Sequence, residues 1–189
     1  MTPVELSGDI GLVAICLLTL NILLGLLVSV KFNPSKHWPY RRLNIFKIHN
    51  WTGYVALALV LLHPLLLLFS MTAGFRWLDI LLPLWSPTQP LENTLGAIAL
   101  YSLVFVVVTS YFRVQLGRKV WKRFHYVAYF AAAFFFAHGI LTDPRLKNSP
   151  VDPFDGEKVL VEVCLLLVCI GVGWRIWYAL HHRKGGKAV

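Results

Sequence analysis

Four histidines stand where chemistry is possible. His49 and His63 lie fourteen residues apart in the apolar stretch IHNWTGYVALALVLLHPLLLLFS. His125 and His138 lie thirteen apart in WKRFHYVAYFAAAFFFAHGIL. Each stretch is long enough to cross a bilayer. An imidazole in hydrocarbon is costly unless it finds a partner, so ionisable residues there are functional-site candidates. Each stretch holds one histidine near its basic-flanked end and one deep inside, which sets His49 level with His125 and His63 level with His138. Two imidazoles at one level are enough for axial ligation of an iron porphyrin. The expectation is two stacked b-type haems, with all four histidines as metal ligands. Zinc suits the pattern less well, because the pairs lie too far apart along the membrane normal to form one tetrahedral site. A lone intramembrane histidine often does no more than hydrogen-bond a neighbouring helix; two pairs at matched depth argue for a shared ligand.

Helix geometry sharpens and complicates this reading. Fourteen residues rise about 21 Å and bring His49 and His63 within about 40° of one helix face. Thirteen residues leave His125 and His138 about 140° apart, so that helix is either locally irregular or meets its two ligands at different azimuths. Gly53 is expected to open room for a macrocycle. Pro64 removes a backbone hydrogen bond and is expected to bend the helix at His63.

The elements that must position these residues are transmembrane. The chain has 189 residues, 57% of them hydrophobic, and a mean hydropathy of +0.64, which places it among polytopic membrane proteins. Five apolar stretches approach or exceed the roughly 20 residues a spanning helix needs: 10–30, 48–70, 94–112, 121–141 and 159–180. The expected fold is all-α, a single domain over 1–189 built as a bundle of about five transmembrane helices, with no internal repeat. The net charge of +9 is concentrated in three segments. Lys31, Lys36, Arg41, Arg42 and Lys47 follow the first span; Arg113, Arg118, Lys119, Lys122 and Arg123 follow the third; Arg183, Lys184 and Lys187 follow the fifth. Alternation with non-basic loops predicts the N-terminus outside and the C-terminus in the cytoplasm, and it accounts for the charge without nucleic acid. The first span lacks the basic start and cleavage site of a removable signal. Cys16, Cys164 and Cys169 lie in apolar spans and read as small hydrophobes.

Around this core, the first span reads as scaffold, with Thr19, Asn21, Ser29 and Gly25 for helix packing. The loop 71–93 carries Phe75, Trp77, Leu81, Leu82 and Trp85, fit for a short interfacial helix that either rests on the surface or covers an outer cofactor. Arg113 is placed either to reach headgroups or to pair with a haem propionate. Arg123, with Arg41, Arg42 and Lys122, is a further candidate for inner propionates or for docking an acidic reductase. Glu162 and Arg175 are placed to snorkel to the two faces. His37, His181 and His182 lie outside the spans and read as solvated or headgroup contacts.

The segments HNWTGYVALALVLLHPLL and WKRFHYVAYFAAAFFFAHG resemble the haem-bearing helices of the ferric-reductase-like transmembrane family. Its pattern of His-x13-His and His-x12-His is met by His49/His63 and His125/His138, over roughly residues 10 to 180. The resemblance implies six helices passing electrons from a cytoplasmic flavin through an inner haem (His49, His125) and an outer haem (His63, His138) to an acceptor such as ferric iron or oxygen. This chain has five spans and no flavin- or NAD(P)-binding domain after the last, so flavin is expected only on a partner reductase. An aromatic between the haems is replaced by Ala131, leaving Phe130 or Phe134 as bridges. A further histidine of the oxidases is Leu67 here. Its place is expected to be a bacterial inner membrane, as an oxidoreductase membrane subunit. Two other readings stand beside it: a quinol-linked haem subunit feeding an external redox partner, and a proton or metal-ion transporter or assembly protein.

Overall fold

The structure is a computed structural model that describes residues 2–30, 44–143, 152 and 154–182. Among them every regular element is helical. Helix α1 spans Pro3–Ser29, α2 Ile45–Leu65, α3 Trp77–Leu81, α4 Pro90–Tyr111, α5 Arg113–His125, α6 Val127–Leu141 and α7 Gly156–His182. Five stretches are long and apolar enough to cross a membrane: α1, α2 with its 3₁₀ extension, α4, α5 with α6, and α7. The predicted five-span architecture is therefore present.

Local chemistry explains where the helices start. Thr2 and Glu5 form a reciprocal cap with Pro3 in the first turn, which carries α1 seven residues beyond the apolar stretch read from sequence. Asn44 caps α2 by accepting from the Lys47 amide at 3.0 Å. At the other end of α2, Pro64 lies inside the helix, and the chain tightens into a 3₁₀ turn over Leu66–Phe69. Pro64 has no N–H to offer the Val60 carbonyl one turn back, and beside this break the His63 carbonyl accepts from the Ser7 hydroxyl at 2.8 Å, which ties the bend to α1.

The fourth span is two helices. Gly117, at φ 72° and ψ 154°, has a conformation open to glycine and turns the chain back after α4. A second break follows His125. There the Tyr126 amide bonds the Arg123 carbonyl at 3.3 Å and the Tyr129 amide bonds the Tyr126 carbonyl at 3.1 Å. These three-residue closures wind faster than an α-helix, about 120° rather than 100° per residue. They rotate His125 toward the azimuth of His138, which settles the thirteen-residue mismatch in favour of local irregularity.

Packing follows a pattern that the sequence reading missed. Helix α1 lies chiefly on α2, and α4 chiefly on α6; α7 closes the bundle against α1 and α6. The last contact is the apolar core of Phe136, Val161, Cys164 and Val168, with Ile15 and Cys16 of α1 packed on it. The pairs α1/α2 and α4/α6 share a repeated spacing along their supporting helices. In both, residues spaced by seven face inward. These are Ser7, Ala14 and Asn21 on α1, and Glu92, Ala99 and Val106 on α4. The ligand helices follow with His49, Ala56 and His63, and with His125, Ala131 and His138. At the middle of each series stands a buried alanine: Ala14 at 3%, Ala56 at 0%, Ala99 at 6% and Ala131 at 3% exposure.

This middle layer has no room for larger side chains. Ala56→Leu is expected to cost about 1–3 kcal/mol by overpacking, read as a lowered thermal transition in detergent, whereas Val55→Leu on the outward face of α2 leaves the transition in place.

Candidate functional site

The four histidines meet in the two predicted pairs. His49 and His125 have ring centroids 6.2 Å apart with planes at 75°. His63 and His138 are also 6.2 Å apart, with planes at 67°. Each ring is held from behind through Nδ1. His49 donates to the Asn21 carbonyl at 3.0 Å, His63 to the Ser7 carbonyl at 2.7 Å and His138 to the Glu92 carbonyl at 2.8 Å. A carbonyl can only accept, so Nδ1 carries the proton in these three rings and Nε2 is left with its lone pair. His125 differs: its Nδ1 lies 3.2 Å from the Ser110 hydroxyl, which also accepts from the Trp121 indole at 3.3 Å.

Helical carbonyls are normally covered by the side chain one turn on, and here that cover is missing. A Cβ added at Gly11 would stand 3.2 Å from the His63 ring, at Gly25 3.1 Å from His49, and at Gly96 3.0 Å from His138. Each glycine sits four residues after the carbonyl that its histidine uses. The sequence reading took α1 as scaffold and did not single out Ser7, Gly11, Glu92, Gly96 or Ser110. The signal that would have found them is the fourteen-residue interval from Ser7 to Asn21 and from Gly11 to Gly25, which copies the interval from His49 to His63.

Other expectations are corrected. Gly53 makes room for the Asn21 amide, 3.3 Å from an added Cβ, rather than for a macrocycle. Gly139 admits Ile15 and Val161 of neighbouring helices. Phe130 faces outward at 51% exposure, its ring centroid 4.5 Å from that of Phe134 with the planes tilted by 46°, so it does not lie between the pairs. Phe135 instead lines the cavities at the His63–His138 level. Arg113 lies over the Phe46 ring, 4.8 Å from its centroid, and Arg123 and Lys122 are exposed. Arg41 and Arg42 lie outside the described residues, as do His37, Lys31, Lys36, Arg183, Lys184 and Lys187.

Two partly open cavities flank the His63–His138 pair, sharing Val60, Phe135 and both histidines. One is closed by α3, whose inward residues Asp79 and Ile80 line it with Phe75 and Pro83. The aromatic loop thus has two sides. Trp77 and Trp85 face out and Phe75 is buried, while the Tyr101 hydroxyl of α4 holds the Leu81 carbonyl. The other cavity is bordered by Lys158 of α7. That buried ammonium donates to the Gly139 carbonyl at 2.9 Å and to the Thr142 carbonyl at the end of α6.

The donor set decides what such a site can hold. Two imidazoles facing each other at one level could hold a Lewis acid between them through their Nε2 atoms. Metal–nitrogen bonds of about 2 Å to each ring account for ~4 Å of the separation, and the ring radii supply the rest. No cluster of three or more His, Cys, Asp or Glu among the described residues could hold an ion alone. An ion held by two axial imidazoles takes its remaining donors from another ligand, and a planar macrocycle fits that need.

The ferric reductase like transmembrane component matches residues 10–136. The chain belongs to the ferric-reductase-like transmembrane family. The matched stretch contains His49, His63 and His125 and ends two residues before His138. Membership points to electron transfer across a membrane by a multi-pass protein. No curated protein and no solved structure gives a significant match to this chain.

The support shell is testable apart from any ligand. The Asn21 amide donates to the His49 carbonyl at 2.5 Å and to the Thr52 hydroxyl at 2.8 Å. Asn21→Leu keeps the main-chain acceptor of His49 but strands both of these, at an expected cost of about 1–3 kcal/mol, measured as earlier thermal unfolding.

Proposed function

We propose that this ferric-reductase-like chain is a transmembrane electron conduit that holds two b-type haems. His49 and His125 hold the inner one, and His63 and His138 the outer. The observation that carries this reading is the shared design of the pairs: rings 6.2 Å apart, three of them tied through Nδ1 to a carbonyl so that Nε2 is left to ligate. Hydrogen bonding of the distal ring nitrogen orients a metal-bound imidazole and raises its donor strength. When bound, the iron porphyrin supplies a one-electron carrier whose potential is set by ligands, burial and nearby charge.

The remaining residues have supporting tasks. Gly11, Gly25 and Gly96 let three of the rings reach the helix backbone behind them. Arg113 and Arg123 are the basic candidates for inner propionates, and Lys158 faces the outer cavity. Arg118, Lys119, Lys122 and Arg123 are exposed on α5. They form a cationic face, suited to an acidic flavoprotein reductase if the basic side is cytoplasmic. Electrons would then run from that partner to the inner level, to the outer level, and on to an acceptor such as ferric iron or oxygen beyond the α3 lid. The protein resides in a bacterial inner membrane on this reading.

Purified protein from haem-replete cells should be red and contain two low-spin haems per chain. His49→Ala is expected to remove or perturb one haem and His138→Ala the other, by haem quantitation and reduced-minus-oxidised spectra; a colourless preparation would overturn the reading. Gly96→Val drives a side chain into the His138 ring and should reduce outer haem content severalfold while sparing the inner haem.

A further inference from the structure

The fourth corner of the repeat departs from the other three. On α1 the pattern is carbonyl at Ser7 with Gly11, then carbonyl at Asn21 with Gly25. On α4 it is carbonyl at Glu92 with Gly96, and fourteen residues on it would be carbonyl at Val106 with a glycine at 110. Position 110 is serine. His125 therefore meets a hydroxyl in place of a carbonyl. Its contact of 3.2 Å is longer than the 2.7–3.0 Å of the other three. That hydroxyl oxygen also receives the Trp121 N–H. A hydroxyl shared with a second donor is a poorer acceptor than a peptide carbonyl, so the Nδ1–H bond of His125 polarises its ring less.

We propose that Ser110 is a positioning residue that makes His125 the least electron-donating of the four ligands and thereby raises the reduction potential of the inner haem. The proposal rests on the two-haem reading above. A weaker donor stabilises ferric iron less, which favours uptake of one electron at that level. Ser110 thus offsets two haem sites that the repeat would otherwise make alike. The Val106 carbonyl accepts from the Thr109 hydroxyl at 3.2 Å, the longer of that hydroxyl's two contacts, the other being Phe105 at 2.7 Å, so a displaced ring competes there only with the weaker one.

The test is a spectroelectrochemical titration of the full chain in detergent or nanodiscs, resolving two components. Ser110→Gly uncovers the Val106 carbonyl and recreates the Gly96 arrangement. It is expected to lower one potential by a roughly tenfold change in the reduction equilibrium, ~59 mV for one electron. Ser110→Ala removes the acceptor without uncovering the carbonyl and should shift the same component upward. Trp121→Phe frees the hydroxyl and should shift it downward, and Ser110→Thr should keep the wild-type value. Should Ser110→Ala lose the inner haem, the contrast between Ser110→Gly and Ser110→Thr carries the test. Shifts of Gly and Ala in the same direction, equal movement of both components, or no shift would overturn the proposal while wild type still binds two haems. Wild-type protein without haem would instead overturn the function it rests on.

Discussion

The structure depends on one hydrogen bond made three times, from a histidine Nδ1–H to the main-chain carbonyl of a neighbouring helix. Such carbonyls already accept within their own helix, and reaching a second lone pair needs an open flank. Glycine one turn further on provides it at Gly11, Gly25 and Gly96. The bond then sets helix register. Ser7 must stand beside His63 and Asn21 beside His49, which holds α1 and α2 antiparallel with no freedom to slide. The same bond between Glu92 and His138 aligns α4 with α6.

From this register follows a bundle of two related helix pairs, each a supporting helix and a ligand-bearing one. The relation is imperfect at one place. The helical break at Tyr126, the hydroxyl of Ser110 and the thirteen-residue interval all bear on His125. Three irregularities around one side chain, in an otherwise repeated design, mark that level as differently built from its counterpart.

Much of this was legible in the amino-acid order. Five spans follow from hydropathy, because a bilayer demands long apolar helices whatever their partners. The four histidines follow from their rarity in hydrocarbon and from matched depth. What stayed hidden was main-chain chemistry. A carbonyl acceptor leaves no residue type behind, so Ser7 and Glu92 carry no mark except the glycine four positions later. Gly25 and Asn21 were visible but read as generic packing, because either explanation asks for the same residues. Gly53 and Phe130 misled for a related reason: their composition suits a cofactor, but their helix faces point elsewhere. The odd spacing before His138 had two geometric solutions, and only the three-residue closures at Tyr126 chose between them.

The alanine layer midway between the histidine levels has an electrical meaning. Ala14, Ala56, Ala99 and Ala131 bring methyl groups, with no hydroxyl, amide or carboxylate, to the centre of the bundle. A proton needs a chain of hydrogen-bonding groups to cross such a layer, whereas an electron tunnels through saturated carbon. On the electron-conduit reading, current across this layer moves charge from one side of the membrane to the other, and these four side chains offer no path for a compensating proton.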